Sequence, residues 1–348
     1  MDNLLKQQIE KWQYDKFMAE VNPYLKQIEP AIDSYINAKY KDSIKIKKSP
    51  YFEIEQSKIT DFIAMFINDT ITNTELKKKL LDNLYNRNPN LILNLKTNPP
   101  KLNMTANEER EWHKSTAGRI SINEVDGKNF TTQDIGKIDV RVRLGISKSN
   151  GKIETNIHNI VAYLHEITHS ISERNTSPQP IAVKEDCSSE IESMFMENLF
   201  MHYLSNNAVQ LSNLFYKEKT IPNADPIFIK NIVKNYQAEH DKGLQDILKM
   251  IKYEPYNSQD PKHKQNEFRY LIGDIYSYVL NDAYKKNPTA TLDRYAEFLK
   301  NNASLTLDES SKILFGNNKI TKKDIITKFA NKLENQINNL LQENQINL

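Results

Sequence analysis

Two histidines and a glutamate stand close together in the run AYLHEITHS at residues 162–170. His165 and His169 are four positions apart, so on a helix both imidazoles leave one face and can bind a single tetrahedral zinc ion at about 2.0–2.1 Å. Glu166 follows the first histidine, where a carboxylate beside the metal can take a proton from an attacking water. This HExxH spacing is typical of zinc hydrolases, so we expect hydrolytic chemistry with one Zn²⁺ ion as cofactor.

The residues before the motif predict the helix that carries it. Asn156 is a favourable N-cap, and neither proline nor glycine interrupts the run before Ser170. Apolar residues recur at helical spacing and should bury one stripe beside the histidine face: Ile157, Ile160, Val161, Leu164 and Ile167. The alternative is a surface helix that carries two histidines by coincidence.

A zinc ion bound by two helix histidines needs a third protein donor and an open position. A second strong helix is predicted from about residue 188 to residue 204, and it should carry that donor. Glu190 and Glu197 share one face of this helix with Ser193 and Met194, whereas Glu192 points away from Glu190. The acidic candidates in this segment are Glu185, Asp186, Glu190, Glu192 and Glu197.

Composition narrows the class of protein. The 348 residues are 39% hydrophobic and 26% charged, which is typical of a soluble globular chain. The 47 basic and 45 acidic residues give a net charge of +2, so we expect neither nucleic acid nor a membrane surface as partner. The single Cys187 excludes an internal disulfide. No leader or spanning run is evident, which predicts a cytoplasmic protein or one secreted without a cleavable signal peptide; the oligomeric state is open.

The pattern along the chain predicts a mainly α protein with a small β-sheet, an α+β fold. Residues 1–100 are expected to form a helical N-terminal region and residues 101–348 a catalytic domain, with a connecting loop around Pro89 and Pro99-Pro100. Residues 118–125 and 137–144 alternate apolar and polar and predict two strands before the motif helix. An edge strand there could bind a substrate backbone or merely cover the helix.

The motif helix and the run EIESMFMEN at residues 190–198 resemble the thimet oligopeptidase and oligoendopeptidase F family of zinc metallopeptidases. In that family an HExGH helix is followed by a helix with the glutamate ligand. The resemblance implies a zincin-type gluzincin catalytic domain. It also implies that Glu190 is the third ligand, and it places Glu197 at the family's second acidic position.

The resemblance continues downstream to about residue 316. The run FRYLIGDIYSYVL at residues 268–280 is similar to the family's tyrosine-rich segment, in which tyrosines face the zinc. Tyr278 aligns with a tyrosine that helps to stabilise the oxyanion, and Tyr276 and Tyr270 are further candidates. A stripe of core tyrosines is the alternative. His158, seven positions before His165, lines the cleft or has a capping or surface role.

Three departures from the family pattern stand in this sequence. Thr168 replaces the usual glycine of HExGH, the tyrosine-rich segment has only His263 as a loose match for a histidine, and the part before the motif is short. The predicted function is a zinc metallopeptidase that cleaves peptides or an exposed protein segment by Glu-assisted attack of water. The alternatives are an exported bacterial effector protease acting on a host protein and a catalytically inactive peptide-binding scaffold.

Overall fold

The chain is mainly helical with two small sheets, which confirms the predicted α+β class. No described helix is long and apolar enough to cross a membrane. The structure is a computed structural model that describes residues 23–39, 49–101, 104–105, 112, 114–121, 124–127, 129–177, 186–217, 225–253 and 261–346.

The described helices and strands follow one another in a simple order, with all of the described strands before the motif helix and only helices after it. The helices are α1 (residues 23–39), α2 (Gln56–Thr70), α3 (Thr74–Leu84), α4 (Ile157–His169), α5 (Glu173–Thr176), α6 (Ile191–Asn206), α7 (Ala208–Lys217), α8 (Pro226–Tyr253), α9 (Pro261–Lys286), α10 (Pro288–Asn301), α11 (Leu307–Phe315) and α12 (Lys322–Ile346). The strands are β1 (Phe52–Ile54), β2 (Leu91–Lys96), β3 (Thr116–Arg119), β4 (Ile138–Arg143), β5 (Ile146–Ser147) and β6 (Ile153–Thr155).

One sheet has the order β2-β4-β3 and lies against the motif helix. β2 is parallel to β4, and β3 is antiparallel to β4 with Thr116 opposite Arg141. The strand predicted at residues 137–144 corresponds to β4, whereas the one predicted at residues 118–125 overlaps β3 only at residues 118–119. Residues 120–121 and 124–125 are not in a strand, and residues 122–123 lie outside the described part. β3 has no partner on its other side among the described strands, so it is an edge strand.

The loop predicted around Pro89 and Pro99-Pro100 is wrong in its central part, which forms β2. Leu91 is buried, and the whole strand pairs in register with β4 from Leu91 opposite Ile138 to Lys96 opposite Arg143. The prolines mark the borders of this strand. Pairing with a buried neighbour therefore decides the conformation between them.

A second sheet, with the order β1-β6-β5, is antiparallel and leads directly into α4. Alternation within β4 explains how the first sheet meets this helix. Val140 and Val142 are completely buried, α4 packs against β4, and Leu164 and Ile167 of α4 are completely buried as well. The sheet thus fixes one side of the motif helix.

The other side of α4 is covered by α6, and α6 in turn packs against α9. These last two helices run in parallel: Gly273 lies beside Glu190, and further along Asn198 Nδ2 donates a 3.0 Å hydrogen bond to Ser277 Oγ. On the far side, the Phe200 ring contacts Phe66 of α2 with ring centroids 5.1 Å apart. The three helices α4, α6 and α9 therefore form the centre of the molecule.

The N-terminal helix α1 docks on α8 and α12. Lys39 Nζ lies 2.7 Å from Asp241 Oδ2, and Gln27 Nε2 donates a 3.1 Å hydrogen bond to Thr327 Oγ1. Its apolar side is buried in the same core as the later helices. The division into a region before residue 100 and a domain after it stays a prediction.

Candidate metal centre

The motif helix begins and ends where the sequence predicts. Asn156 Oδ1 accepts a 3.1 Å hydrogen bond from the Asn159 backbone N–H and so caps the first turn of α4. The predicted apolar stripe is buried, and both histidines lie on a neighbouring face. Thr168 is fully buried, and its hydroxyl donates a 2.8 Å hydrogen bond to the Leu164 carbonyl. The threonine in place of glycine is thus turned into its own helix.

Three donor atoms from two segments converge at one point. Nε2 of His165 lies 3.0 Å from Nε2 of His169, and Oε2 of Glu190 lies 3.3 and 3.4 Å from these two nitrogens. Donors bound to zinc at 2.0–2.1 Å in a tetrahedron are separated by roughly 3.3 Å. The triangle therefore has the dimensions of one face of a zinc site, and these residues form a possible metal-binding cluster.

Glu190 stands at the exact start of α6, as its N-cap residue. Two neighbours hold it there. Ser193 Oγ donates a 3.3 Å hydrogen bond to the Glu190 carbonyl, and Gly273 of α9 lies directly against it. A Cβ atom at Gly273 would come within 2.9 Å of the Glu190 Cβ, so this close approach of the two segments requires a glycine.

The charges around the cluster favour a cation. Burial alone would raise the pKa of Glu190, yet His169 and His165 hold it well below its usual range. Burial lowers the pKa of His169, but Glu190 and Glu192 outweigh it and raise the pKa to about 10. Acids thus hold protons on the imidazoles, and a metal ion would displace these protons when it binds.

Glu166 is buried beside the cluster, with 7% of its surface exposed. Burial raises the pKa of its carboxyl, and the two histidines counteract part of this effect, while Glu190 and Glu197 add to it. A carboxylate with a raised pKa is a better proton acceptor than an exposed one. Glu166 is therefore a buried carboxyl group with a raised pKa beside the donor atoms.

Two carboxylates support the histidines from their Nδ1 side. Glu192 Oε2 lies 2.9 Å from His169 Nδ1, and Glu197 Oε1 contacts His165 Nδ1. Such partners orient a ligating imidazole and leave Nε2 free for the metal. The helical wheel of this segment places Glu192 away from Glu190, so the sequence alone does not predict this contact. The signal that could have found it is the need of each imidazole for an acid at its second nitrogen.

Further residues that the sequence analysis did not single out support these two carboxylates. Arg174 Nε lies 3.1 Å from Glu192 Oε1, and Asn302 Nδ2 donates to the same oxygen. Tyr236 of α8 donates a 2.7 Å hydrogen bond to Glu197 Oε2. Arg174 follows His169 by five residues, whereas Tyr236 and Asn302 come from parts of the chain far from the motif, and no spacing in the sequence connects those two to it.

The tyrosine assignment changes with the structure. The hydroxyl of Tyr276 bonds to Ser311 Oγ at 2.6 Å, and that of Tyr278 donates to Gln336 of α12, so both are directed to other partners. Tyr270, the third candidate, lies at the cluster with its ring centroid 6.5 Å from that of His165. The reason is helix register: Tyr270, Gly273 and Ser277 follow at three- and four-residue spacing on the face toward α6.

The remaining candidates have other surroundings. His158 pairs with Glu239, and its ring lies 5.0 Å from that of Tyr236, so it is beside the support of the cluster and not at its donor triangle. Glu185 lies outside the described residues, as does the side chain of Asp186. Only the backbone of α9 is described at His263.

Fold and site together define a mainly helical protein with a buried His-His-Glu cluster. No protein-family model matches the chain, and no curated protein matches it. Among solved structures, the crystal structure of a "putative peptidase" from Chlamydophila abortus is similar to it, with a TM-score of 0.46 and 15% identity. That match covers 91% of this chain and 55% of the other, so the chain spans about half the length of that protein.

Proposed function

We propose that this chain is a zinc-dependent peptidase in which His165, His169 and Glu190 bind one Zn²⁺ ion. The observation that carries the proposal is the donor triangle, with edges of 3.0, 3.3 and 3.4 Å, beside a buried glutamate. The family resemblance of the sequence agrees with this assignment. Held by these three residues, Zn²⁺ would supply Lewis-acid chemistry, by which a carbonyl group is polarised and water becomes acidic enough to attack near neutral pH.

Glu166 is the proposed general base. It accepts the proton of the attacking water and later donates it to the departing amine. Its burial and its raised pKa suit both halves of this exchange, because the carboxyl holds a proton more readily than an exposed glutamate.

Tyr270 is the proposed donor to the developing oxyanion. Burial raises the pKa of its phenol, and Glu190 and Glu166 raise it further, so the hydroxyl keeps its proton over the working pH range. A neutral phenol can donate a hydrogen bond to the oxyanion without competing for the metal. With 38% of its surface exposed, this tyrosine is also accessible to a substrate.

The proposed substrate is a peptide or an exposed segment of a protein. The edge strand β3 lies next to α4 and pairs with β4 on one side only among the described strands. An extended peptide could add to its free edge through backbone hydrogen bonds, which would align the peptide group with the cluster. A peptide-length series would test this: activity confined to very short peptides would contradict strand addition.

The test of the proposal compares Glu166→Gln with the wild type. We expect the variant to keep stoichiometric zinc and to lose at least about a hundredfold in peptide hydrolysis, because only the proton transfer is removed. Zinc is measured by elemental analysis and hydrolysis with a quenched fluorescent peptide library. His158→Gln on the same helix is the matched control and should keep both zinc and activity.

Three outcomes would contradict the proposal or one of its parts. A wild-type protein that binds no zinc would exclude the metal centre. A protein with one zinc ion per chain but no hydrolysis of any peptide would instead favour the peptide-binding scaffold, and equal turnover by Glu166→Gln would reject the assigned base.

A further inference from the structure

A cavity of about 340 Å³ lies behind the cluster, between the helices α1, α6, α8, α9 and α12. Glu197 lies between the cavity and the cluster: one oxygen of its carboxylate contacts His165 Nδ1, and its side chain lines the cavity. The donor triangle lies on the opposite side of the same imidazole, at Nε2. The cavity is therefore distinct from the proposed metal centre, and its volume is in the range of small-molecule sites, roughly 300–1,000 Å³.

More than half of the residues that line the cavity are polar or charged, whereas apolar side chains usually fill the interior of a helix bundle. The acidic groups of the cavity already have cationic or hydrogen-bonding partners. Asp241 pairs with Lys39 at 2.7 Å, and Asp274 pairs with His240 at 2.8 Å. The charge of each of these two acids is thus balanced by a cationic side chain of the protein.

The other end of the cavity is positive. Asp274, Tyr278, Asn281 and Lys285 follow one another along α9, and Lys285 is about 16 Å from Asp274 by the helix rise. Lys285 makes no ion pair with any residue in the described part of the chain. Lys332 of α12 enters the same end, where it bonds to the Tyr278 carbonyl at 3.1 Å and to Asp282 at 2.7 Å.

The pKa of His202 responds to the positive charges at this end of the cavity. It lines the cavity from α6, and its pKa is lowered by burial and by the charges of Lys285 and Lys332, against a smaller opposite effect of Asp282. The Asn281 side chain is 4% exposed, and its amide oxygen has no hydrogen-bond partner. Because an amide can flip, Asn281 can offer either a donor or an acceptor to a ligand.

A route from outside reaches this end. A neighbouring groove of about 510 Å³ shares His202, Asn281 and Lys285 with the cavity and is otherwise lined by residues such as Asp69 and Gln210. Lys285 is exposed at the junction. A charged molecule could enter along the groove and place its charge at the lysines.

We propose that this cavity is a binding site for a small organic anion, whose carboxylate or phosphate group lies between Lys285, Lys332 and His202. The rest of the ligand would extend toward Tyr278 and the paired acids. The site is independent of the proposed metal centre, and its ligand is bound, not transformed.

Calorimetric titration of the full chain with inorganic phosphate, succinate and glycerol, at constant ionic strength set with NaCl, tests the proposal. We expect saturable binding of phosphate or succinate with a dissociation constant of about 1 mM or tighter, and no binding of glycerol. Tighter binding of phosphate would identify a phosphate ligand, and tighter binding of succinate a carboxylate ligand.

Lys285→Met should weaken that binding about threefold or more, and Lys285→Met with Lys332→Met at least about tenfold. Lys286→Met is the matched control, because Lys286 is in the same last turn of α9 but does not line the cavity. It should leave binding unchanged. Equal effects of Lys285→Met and Lys286→Met would overturn the proposal, as would the absence of saturable anion binding.

An independent readout follows the ring protons of His202 by NMR. A bound anion favours the protonated imidazole, so saturation with the tighter anion should raise the pKa of His202. The experiment is repeated after treatment with a chelator, so that the result does not depend on zinc. An unchanged pKa of His202 at saturation would place the anion elsewhere and contradict the proposed site.

Discussion

The two histidines of the cluster are supported in different ways. Glu192, the partner of His169, has no exposed surface and is bound by Arg174 and Asn302 in the core. Glu197, the partner of His165, retains 13% of its surface and borders the polar cavity. Each histidine thus has a carboxylate partner, but Glu192 lies in a fixed core, whereas Glu197 forms part of the wall of a space that water or a ligand can enter.

This difference shows where the site is rigid and where it can respond. A carboxylate fixed by several buried donors cannot move without leaving them unpaired, so the position of His169 is determined by the fold. Besides its contact with His165, the Glu197 carboxylate accepts one hydrogen bond, from Tyr236, and it borders the cavity, so it can change its position and its partners. We expect substitutions on the core side to cost more than matched substitutions on the cavity side.

The largest difference is expected for stability. Glu192→Ala leaves Arg174 and His169 without their buried partner and should lower the free energy of unfolding by about 3–5 kcal/mol. Glu197→Ala should cost about 1–2 kcal/mol, because water in the cavity can replace the carboxylate. Urea denaturation of the metal-free protein measures both. Equal losses would show that the cavity side is as rigid as the core side.

The next difference concerns zinc affinity. Glu192→Gln and Glu197→Gln keep the shape of the side chain but weaken the acceptor at Nδ1, which typically costs about 10–100-fold in metal affinity. We expect the loss to be near the upper value for Glu192 and near the lower value for Glu197, where the amide can reorient. Competition with a chelating dye measures the affinity. Glu239 is the partner of His158 and Ser49 and contacts neither zinc-binding histidine, so Glu239→Gln is the control and should leave zinc binding unchanged.

These two carboxylates also show what the sequence could predict. The residues around the HExxH motif predict α4, its N-cap at Asn156 and its buried apolar stripe, because all of these depend on neighbours within one helix. Glu190 is the N-cap residue of α6 with helical φ and ψ, and its carbonyl accepts a 3.0 Å hydrogen bond from the Met194 N–H, so Glu190 and Glu192 do point in different directions from one helix. The helical wheel does not show that Glu192 reaches Nδ1 of His169, because that contact depends on how α6 packs on α4.

The tyrosines illustrate the same limit at longer range. Which of Tyr270, Tyr276 and Tyr278 lies at the cluster depends on the rotation of α9 about its axis. That rotation is fixed by the contact of Gly273 with Glu190, between residues 83 positions apart in the chain (273 − 190). A contact of this kind leaves no periodic pattern in either segment. Similarly, β2 lies between two segments that contain prolines, and only its pairing with β4 identifies it as a strand.

A smaller effect is expected from pH on the cavity side. Burial lowers the pKa of His240, but Asp274 outweighs it and raises the pKa to about 9. A histidine with a raised pKa stabilises the folded state fully below its unfolded pKa of about 6.5, and this contribution is lost as pH rises through the folded value. The free energy of unfolding should therefore fall more steeply between about pH 6.5 and 9 in the wild type than in His240→Gln.

Both proteins are measured without metal, so that the contributions of His165 and His169 cancel in the difference. The titration of His240 is followed by NMR in the same samples. Parallel pH profiles of the two proteins would show that the pair with Asp274 contributes nothing to stability.

The smallest effects are expected when a single hydroxyl group is removed on the cavity side or on the core side of the cluster. This pair of substitutions distinguishes the two sides most clearly. Tyr236→Phe loses the donor to the Glu197 carboxylate but keeps a ring near His158 and His240, and it should weaken zinc binding about two- to tenfold. Tyr295→Phe is the counterpart on the core side, where the hydroxyl donates to the backbone carbonyl of Glu192 and not to its carboxylate. Its loss should lower stability without changing zinc affinity, because the carboxylate keeps Arg174 and Asn302. A response of zinc affinity to Tyr295→Phe and not to Tyr236→Phe would contradict this comparison. It would show that the flexible side of the cluster is the Glu192 side.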